Sequence, residues 1–358
     1  MLNMPTNHQS GLRDPGIRQQ SLPQIVLSLV FALTCATPTP ANALTITPSF
    51  NANLSVTAVG VINAAIGFYQ TTFSDPVTVN IDFHAMDSGL DASLVPIYFV
   101  PYATYQSHLL ADASSIDDTV AIPSYPAGTN DPILDQADIN LKSANGRALG
   151  IDTPGVLIDL PGFCTGFTGD GCIGLNISQT TTGGGLFDLF AMVEHEINEV
   201  LGLGSSLSGD GTIFQDKISP EDLFRYSSNG VRSFALNDCR GAVQNAFFSI
   251  DQGFSILNQF NNCTNDGDYS DWITHTPSQV QDAFTNNSGA PYLTASSAET
   301  RALDVIGYNL TKQTPVPSPV PEPVGVVLFV IGFIGMVLTR RRALWLLVRS
   351  NRIQLTKA

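Results

Sequence analysis

The sequence predicts an α+β fold, and three observations carry that expectation. Short runs with strand-like alternation, such as VTVNIDF (Val77 to Phe83), are interleaved with helical patterns in the first half. One long, strongly periodic helix, LFDLFAMVEHEINEVLGLG, then occupies the middle, and an irregular half with small elements follows. Neither a sustained βαβ alternation nor a sequence repeat is present.

In order, AVGVINAAIGFYQTTF (Ala58 to Phe73) spaces apolar residues as an amphipathic helix does, and VPIYFV (Val95 to Val100) is a second strand after VTVNIDF. TYQSHLLADA and DINLKSANGRALG read as helices. GVLIDL (Gly155 to Leu160) and CIGLNIS (Cys172 to Ser178) read as strands flanking a Gly-rich loop. The long helix ends at Gly202 and Gly204. SPEDLFRYSS is a capped helical turn, with Ser219 as N-cap, Pro220 first and two acids behind it. VRSFAL and AFFSID read as strands, NDGDYSDW as a loop, and SQVQDAF and SAETRALDVIGYNL as closing helices.

Both ends read as targeting segments. Arg13 and Arg18 precede the apolar run IVLSLVFALTCA, and Ala41-Asn42-Ala43 supplies a small-x-small cleavage site, which makes residues 1–43 a secretory signal. At the other end a Pro-rich linker (313–323) leads through Pro321-Glu322-Pro323 into an apolar helix and Arg340-Arg341-Arg342 (324–342), with a tail over 343–358. The apolar run is slightly short of the ~20 residues that cross a bilayer squarely. The basic cluster behind it is of the kind that stays cytoplasmic. A plain single-span anchor is the alternative reading of this segment.

Residues 44–319 carry eight basic and 29 acidic side chains, a charge of about −21. So acidic a surface repels nucleic acid and anionic lipid and attracts divalent cations, so nucleic-acid binding is excluded as a function. Four cysteines remain beyond the signal, Cys164, Cys172, Cys239 and Cys263, and an even set in an exported chain points to disulfides. Local loop closure favours Cys164 with Cys172 and Cys239 with Cys263. A four-thiolate zinc site lacks any C-x-x-C spacing.

The chemistry centres on His195-Glu196-x-x-Glu199. Four residues advance about 400° on a helix, so His195 and Glu199 stand about 40° apart on one face and are able to share a cation. Glu196, about 100° round from His195, is placed to reach a metal-activated water as general base without ligating the metal. An H-E-x-x-H helix works this way, and a carboxylate is able to replace the second imidazole. One nitrogen and one oxygen make a harder pair, less selective for zinc and more open to manganese, iron or calcium. Ser205 occupies the place of a metzincin's third His, so the third ligand must come from downstream. His275 is one alternative; His84 and His108 read as structural or solvated.

Together HEINEVLGLGS, DLFRYSSNGVRSF, FFSID, GDYSDW and ETRALDVIGYNL, in this order and over nearly the whole mature chain, resemble a group of exported bacterial metalloproteases of zincin type. The resemblance implies a zincin-like metallopeptidase domain over 44–312, built on the long active-site helix. Members with a full ligand set read HExxH on the helix and Ser-His-Trp in the later loop, which here is Ser270-Asp271-Trp272. The implied ligands are therefore His195, Glu199 and Asp271, with Glu196 as base, zinc as cofactor and a protein or peptide as substrate. CIGLNIS is the implied edge strand for the substrate backbone, and Tyr226 or Tyr269 a possible oxyanion donor. The C-terminal pattern resembles the PEP-CTERM sorting signal, which implies export across the inner membrane of a Gram-negative bacterium, transient anchoring through the apolar helix, and processing by an exosortase-type enzyme at the cell surface. The competing expectation is a calcium-stabilised surface or matrix protein on a degenerate protease scaffold, favoured by the acidic core and the loops SGDGT and NDGDYSD, neither of which matches an EF-hand.

Overall fold

Strand β1 (Thr45–Phe50) and strand β2 (Thr78–Ala85) pair in parallel, a geometry that needs a crossover element between them. Helix α1 (Val56–Thr72) supplies it. Ser55 caps α1 by accepting from the Ala58 amide, and the helix turns Ile62, Ala65, Ile66 and Tyr69 into the core. The computed structural model describes residues 43–180, 187–207, 213–234, 246–262, 267–284 and 291–311. The expected signal up to residue 42, the linker, the sorting helix with its arginines and the tail lie outside the described residues, as do Cys239 and Cys263. No helix among the described residues is long and apolar enough to cross a membrane.

After β2 come β3 (Asp91–Leu94), β4 (Ile97–Pro101), α2 (Tyr102–Asp112), α3 (Ile116–Ala121), β5 (Asp138–Lys142) and α4 (Ser143–Ala148). The hairpin of β6 (Val156–Leu160) and β7 (Cys164–Gly169) leads into β8 (Gly171–Leu175). The main sheet runs in the order β1-β2-β8-β3, with β3 antiparallel to β8 and the others parallel. The chain is thus α+β, as expected, but two expectations fail here. CIGLNIS is not the edge: β8 is buried throughout because β2 and β3 flank it, and β3 takes the edge. DINLK is not helical either, since Ile139 and Leu141 alternate inward and the segment pairs antiparallel with β4. A disulfide joins Cys164 to Cys172 and ties β7 to β8.

Helix α5 (Leu189–Leu201) crosses this sheet and packs on α1, β3 and β8. Asp188 caps it with Oδ1, accepting from the Phe190 and Ala191 amides, so the helix starts later than its apolar run suggests. Val193, Ile197, Val200 and Leu201 are wholly buried, each worth roughly 1.5–3 kcal/mol of apolar burial. Gly202 ends the helix at φ 146°, a conformation that disfavours any side chain.

The second half is a small antiparallel sheet with long connections. Pro220–Phe224 forms a 3-10 turn closed by a reciprocal Ser219–Asp222 capping box. Then β9 (Arg225–Ser228), β10 (Val231–Arg232), β11 (Phe247–Phe248) and β12 (Asn258–Gln259) assemble in the order β10-β9-β11-β12. Helix α6 (Ala298–Val305) follows. The expected helix at SQVQDAF is absent. That segment makes a turn at Val280 and Gln281 instead, because Trp272 donates its amide to the Gln281 carbonyl (2.7 Å) and accepts from the Ala283 amide (2.9 Å).

The approach of α5 to the sheet depends on Gly171. A Cβ there would lie 2.6 Å from Val200 Cγ2 and 3.0 Å from Cγ1, atoms of a short branched side chain with little freedom to move. Gly171→Ala is therefore expected to lower stability by about 1–3 kcal/mol, read as a lower denaturation midpoint. An unchanged midpoint would show that the sheet and helix are not in close contact there.

Candidate metal centre

Three segments distant in sequence converge beside α5. The first is the helix itself, where the i, i+4 spacing of His195 and Glu199 brings His195 Nε2 to 3.7 Å from Glu199 Oε1. The second is the extended stretch around Asp271. Its backbone is pinned on one side by the Asn261 amide donating to the Asp271 carbonyl (2.7 Å) and by the Ile273 amide donating to Gln259 (2.9 Å). Adjacent residues of an extended chain face opposite ways. Trp272 accordingly enters the aromatic cluster, its ring 5.7 Å from Phe248 and 5.1 Å from Phe260. Asp271 turns to the helix, with Oδ2 3.6 Å from His195 Nε2. The third segment is β3, where Ser93 donates from Oγ to Glu199 Oε2.

One donor atom from each of His195, Glu199 and Asp271 lies within 4.8 Å of the other two. Ligand atoms about 2.1 Å from a tetrahedral ion stand about 3.4 Å apart, so contacts of 3.6 and 3.7 Å match the edges of such a shell better than they match hydrogen bonds. The expected alternative, His275, is not brought to this cluster. Its Nδ1 lies 2.6 Å from Asp282 Oδ1, and its amide donates to Asp282 Oδ2 (2.9 Å). Asp82 lies near Cys164 and Cys172, but those sulfurs are bonded to each other, which also removes the four-thiolate reading.

The donor set is oriented from behind. His195 Nδ1 contacts the Val280 carbonyl at 3.0 Å. A carbonyl only accepts, so Nδ1 holds a hydrogen, and Nε2 is the nitrogen that would offer a lone pair once a cation displaces its proton. Gln281 Nε2 donates to Asp271 Oδ1 (2.9 Å), Asn198 Nδ2 donates to Gln281 Oε1 (2.9 Å), and the Tyr69 hydroxyl is shared between Asn198 Oδ1 (2.8 Å) and the Glu194 carbonyl (2.7 Å). This buried relay runs from α1 through α5 to the third donor. One sign of it is local: Asn198 sits one residue from Ile197 and a turn from Leu201, on the buried side of the helix. Nothing marked Gln281 or Tyr69.

Glu196 is 3 % exposed, lines the same cavity, and its Oε2 has no hydrogen-bond partner. Burial and then the neighbouring Glu199 and Asp91 push its carboxyl well above the usual range. Asp271 is likewise raised well above it by burial, and Asp91 is raised to about 6 by burial, with His195 opposing. Burial pulls His195 down, but Asp271 and Glu199 outweigh it and hold the imidazole well above its ordinary value. Burial also opposes the charge of Glu199, yet His195, Lys142 and Ser93 take it down to about 2. Four carboxylates around one imidazole would be matched by a divalent cation, and Glu196, with its orphaned oxygen, lines the same cavity. The residues fit a metal.

No protein-family model, curated protein or solved structure matches this chain.

The cavity measures about 620 Å³, and the edge strand contributes Leu90 to Ser93 to its wall. Neither Tyr226 nor Tyr269 lines it. The Tyr226 hydroxyl donates to Ser124 Oγ (3.0 Å), away from the cavity, and Tyr269 is likewise outside its wall, so neither is placed as an oxyanion donor.

If the relay orients the ligands, Gln281→Leu should weaken zinc affinity about 10- to 100-fold while the chain remains folded by circular dichroism. Competition with a chromogenic chelator measures this. An affinity equal to wild type would show that Asp271 needs no support, or takes no part.

Proposed function

We propose that this chain is an exported metallopeptidase of zincin type, with His195, Glu199 and Asp271 as ligands and Glu196 as general base. One observation carries the reading: an imidazole nitrogen stands 3.6 and 3.7 Å from two carboxylates, and a buried, unpartnered carboxylate on the same helix opens into the same cavity. A cation bound there supplies Lewis acidity, which makes water a nucleophile near neutral pH and polarises a carbonyl. Zinc fits the tetrahedral spacing, while two oxygens in three ligands also suit manganese or iron.

The chain's own groups do the rest. Glu196 Oε2 takes a proton from the attacking water and returns it to the leaving amine. The edge strand β3, which among the described residues pairs only with β8, offers its free side to an extended substrate backbone along the cavity wall. Ser93 on that strand holds Glu199 through its hydroxyl, and Asp91 lines the substrate path beside it. The PEP-CTERM-like tail supports sorting to the cell surface by an exosortase-type enzyme after export.

A second reading, a catalytically inactive protein stabilised by calcium, draws on the oxygen-rich donor set and the charge of about −21 over residues 44–319. Metal content and casein hydrolysis separate the two. The peptidase reading expects about one zinc or manganese per chain. It also expects Glu196→Gln to keep the metal while lowering the rate about 10²- to 10⁴-fold. Calcium alone, with no hydrolysis by the wild type, would establish the second reading.

A further inference from the structure

We propose that the cleft selects cationic peptides, and that Asp188, Phe190 and Tyr292 receive a lysine or arginine side chain of the substrate; this rests on the peptidase reading and names its substrate class.

The wall of the 620 Å³ cavity contains seven carboxylates and no lysine or arginine. A divalent cation would offset charge at the cluster itself, and Asp188 and Asp268, outside the ligand set, still give the cleft wall a negative character. The charge also surrounds the site. Asp91 comes from β3, Asp188 from the start of α5, and Asp268 from the approach to Asp271, while Glu196, 97 % buried and with one oxygen unpartnered, lines the same cavity. An anionic peptide would meet repulsion on every side, and a neutral one would gain nothing from these rim charges.

A groove of about 300 Å³ adjoins the cavity and shares Asp188 with it. Gly60, Val61 and Ala64 of α1 form one wall, and Phe190 and Tyr292 the other, with ring centroids 5.5 Å apart at 71°. Apolar and aromatic walls with one carboxylate at the mouth suit a long aliphatic stem ending in a cation. Space lies open above Gly60, where a Cβ would meet no atom within 4 Å, so a large side chain placed there would project into the groove.

The test uses the full chain with zinc and three fluorogenic peptides that differ at one position, arginine, alanine or glutamate. The arginine peptide should be cleaved with a kcat/KM about 10-fold or more above the glutamate peptide. That ratio should fall about 3- to 10-fold in Asp188→Asn, where the amide still caps α5, and again in Gly60→Phe, which fills the groove. Equal rates, or a preference that both variants leave intact, would overturn the proposal. If the wild type cleaves none of the peptides, the peptidase reading falls. Fluorescence anisotropy of the same peptides on wild type and Asp188→Asn then decides the selectivity: tighter binding of the arginine peptide that Asp188→Asn loses supports it, and equal binding overturns it.

Discussion

Burying several carboxylates around a single imidazole is among the least favourable arrangements a protein interior can hold, because each ion loses its water and repels its neighbours. Asp91, Glu196, Glu199 and Asp271 stand in that relation to His195. Lys142 donates to the carbonyls of Glu199 and Leu203, so it complements the end of α5 and helps lower Glu199 without forming an ion pair with any carboxylate of the cluster. Either protons or a metal must supply the missing positive charge, and the spacing of the donors suits the metal.

The scaffold exists to hold this charge in place. A sheet whose close approach to α5 requires glycine at position 171 fixes the helix, and the helix fixes His195 and Glu199 by its own period. The irregular half has to bring Asp271 to the same spot without a regular element. It does so with a ladder of backbone hydrogen bonds on both sides of Trp272 and with that ring buried among Phe248 and Phe260. Apolar packing thus pays for an electrostatic site that opposes folding. The Tyr69, Asn198 and Gln281 relay links the two halves through satisfied polar groups, which fixes orientation where apolar contacts alone would allow drift.

How much of this was legible depended on sequence distance. His195, Glu196 and Glu199 follow from helical period alone, and the structure keeps them on one turn. Asp271 came only from a family resemblance, since no local rule connects residues so far apart across loops. The edge strand escaped notice because DASL has too few apolar residues to alternate, and its pairing with β8 is a tertiary fact. DINLK was misread because Ile139 and Leu141 fit a helix and a strand equally over so short a run. SQVQDAF has helical spacing too, but Trp272 claims its backbone hydrogen bonds for an isolated bridge beside a turn. Tyr226 and Tyr269 have the right chemistry for oxyanion binding and the wrong place, since neither lines the cavity and the Tyr226 hydroxyl donates to Ser124.

The most direct test of the account is anomalous diffraction at the zinc edge from crystals of the zinc-loaded protein. The account predicts one peak about 2.0–2.2 Å from His195 Nε2 and from a carboxylate oxygen of both Glu199 and Asp271, with Glu196 outside bonding distance. A structure in which zinc is absent from that position, or bound there without Asp271, would contradict it.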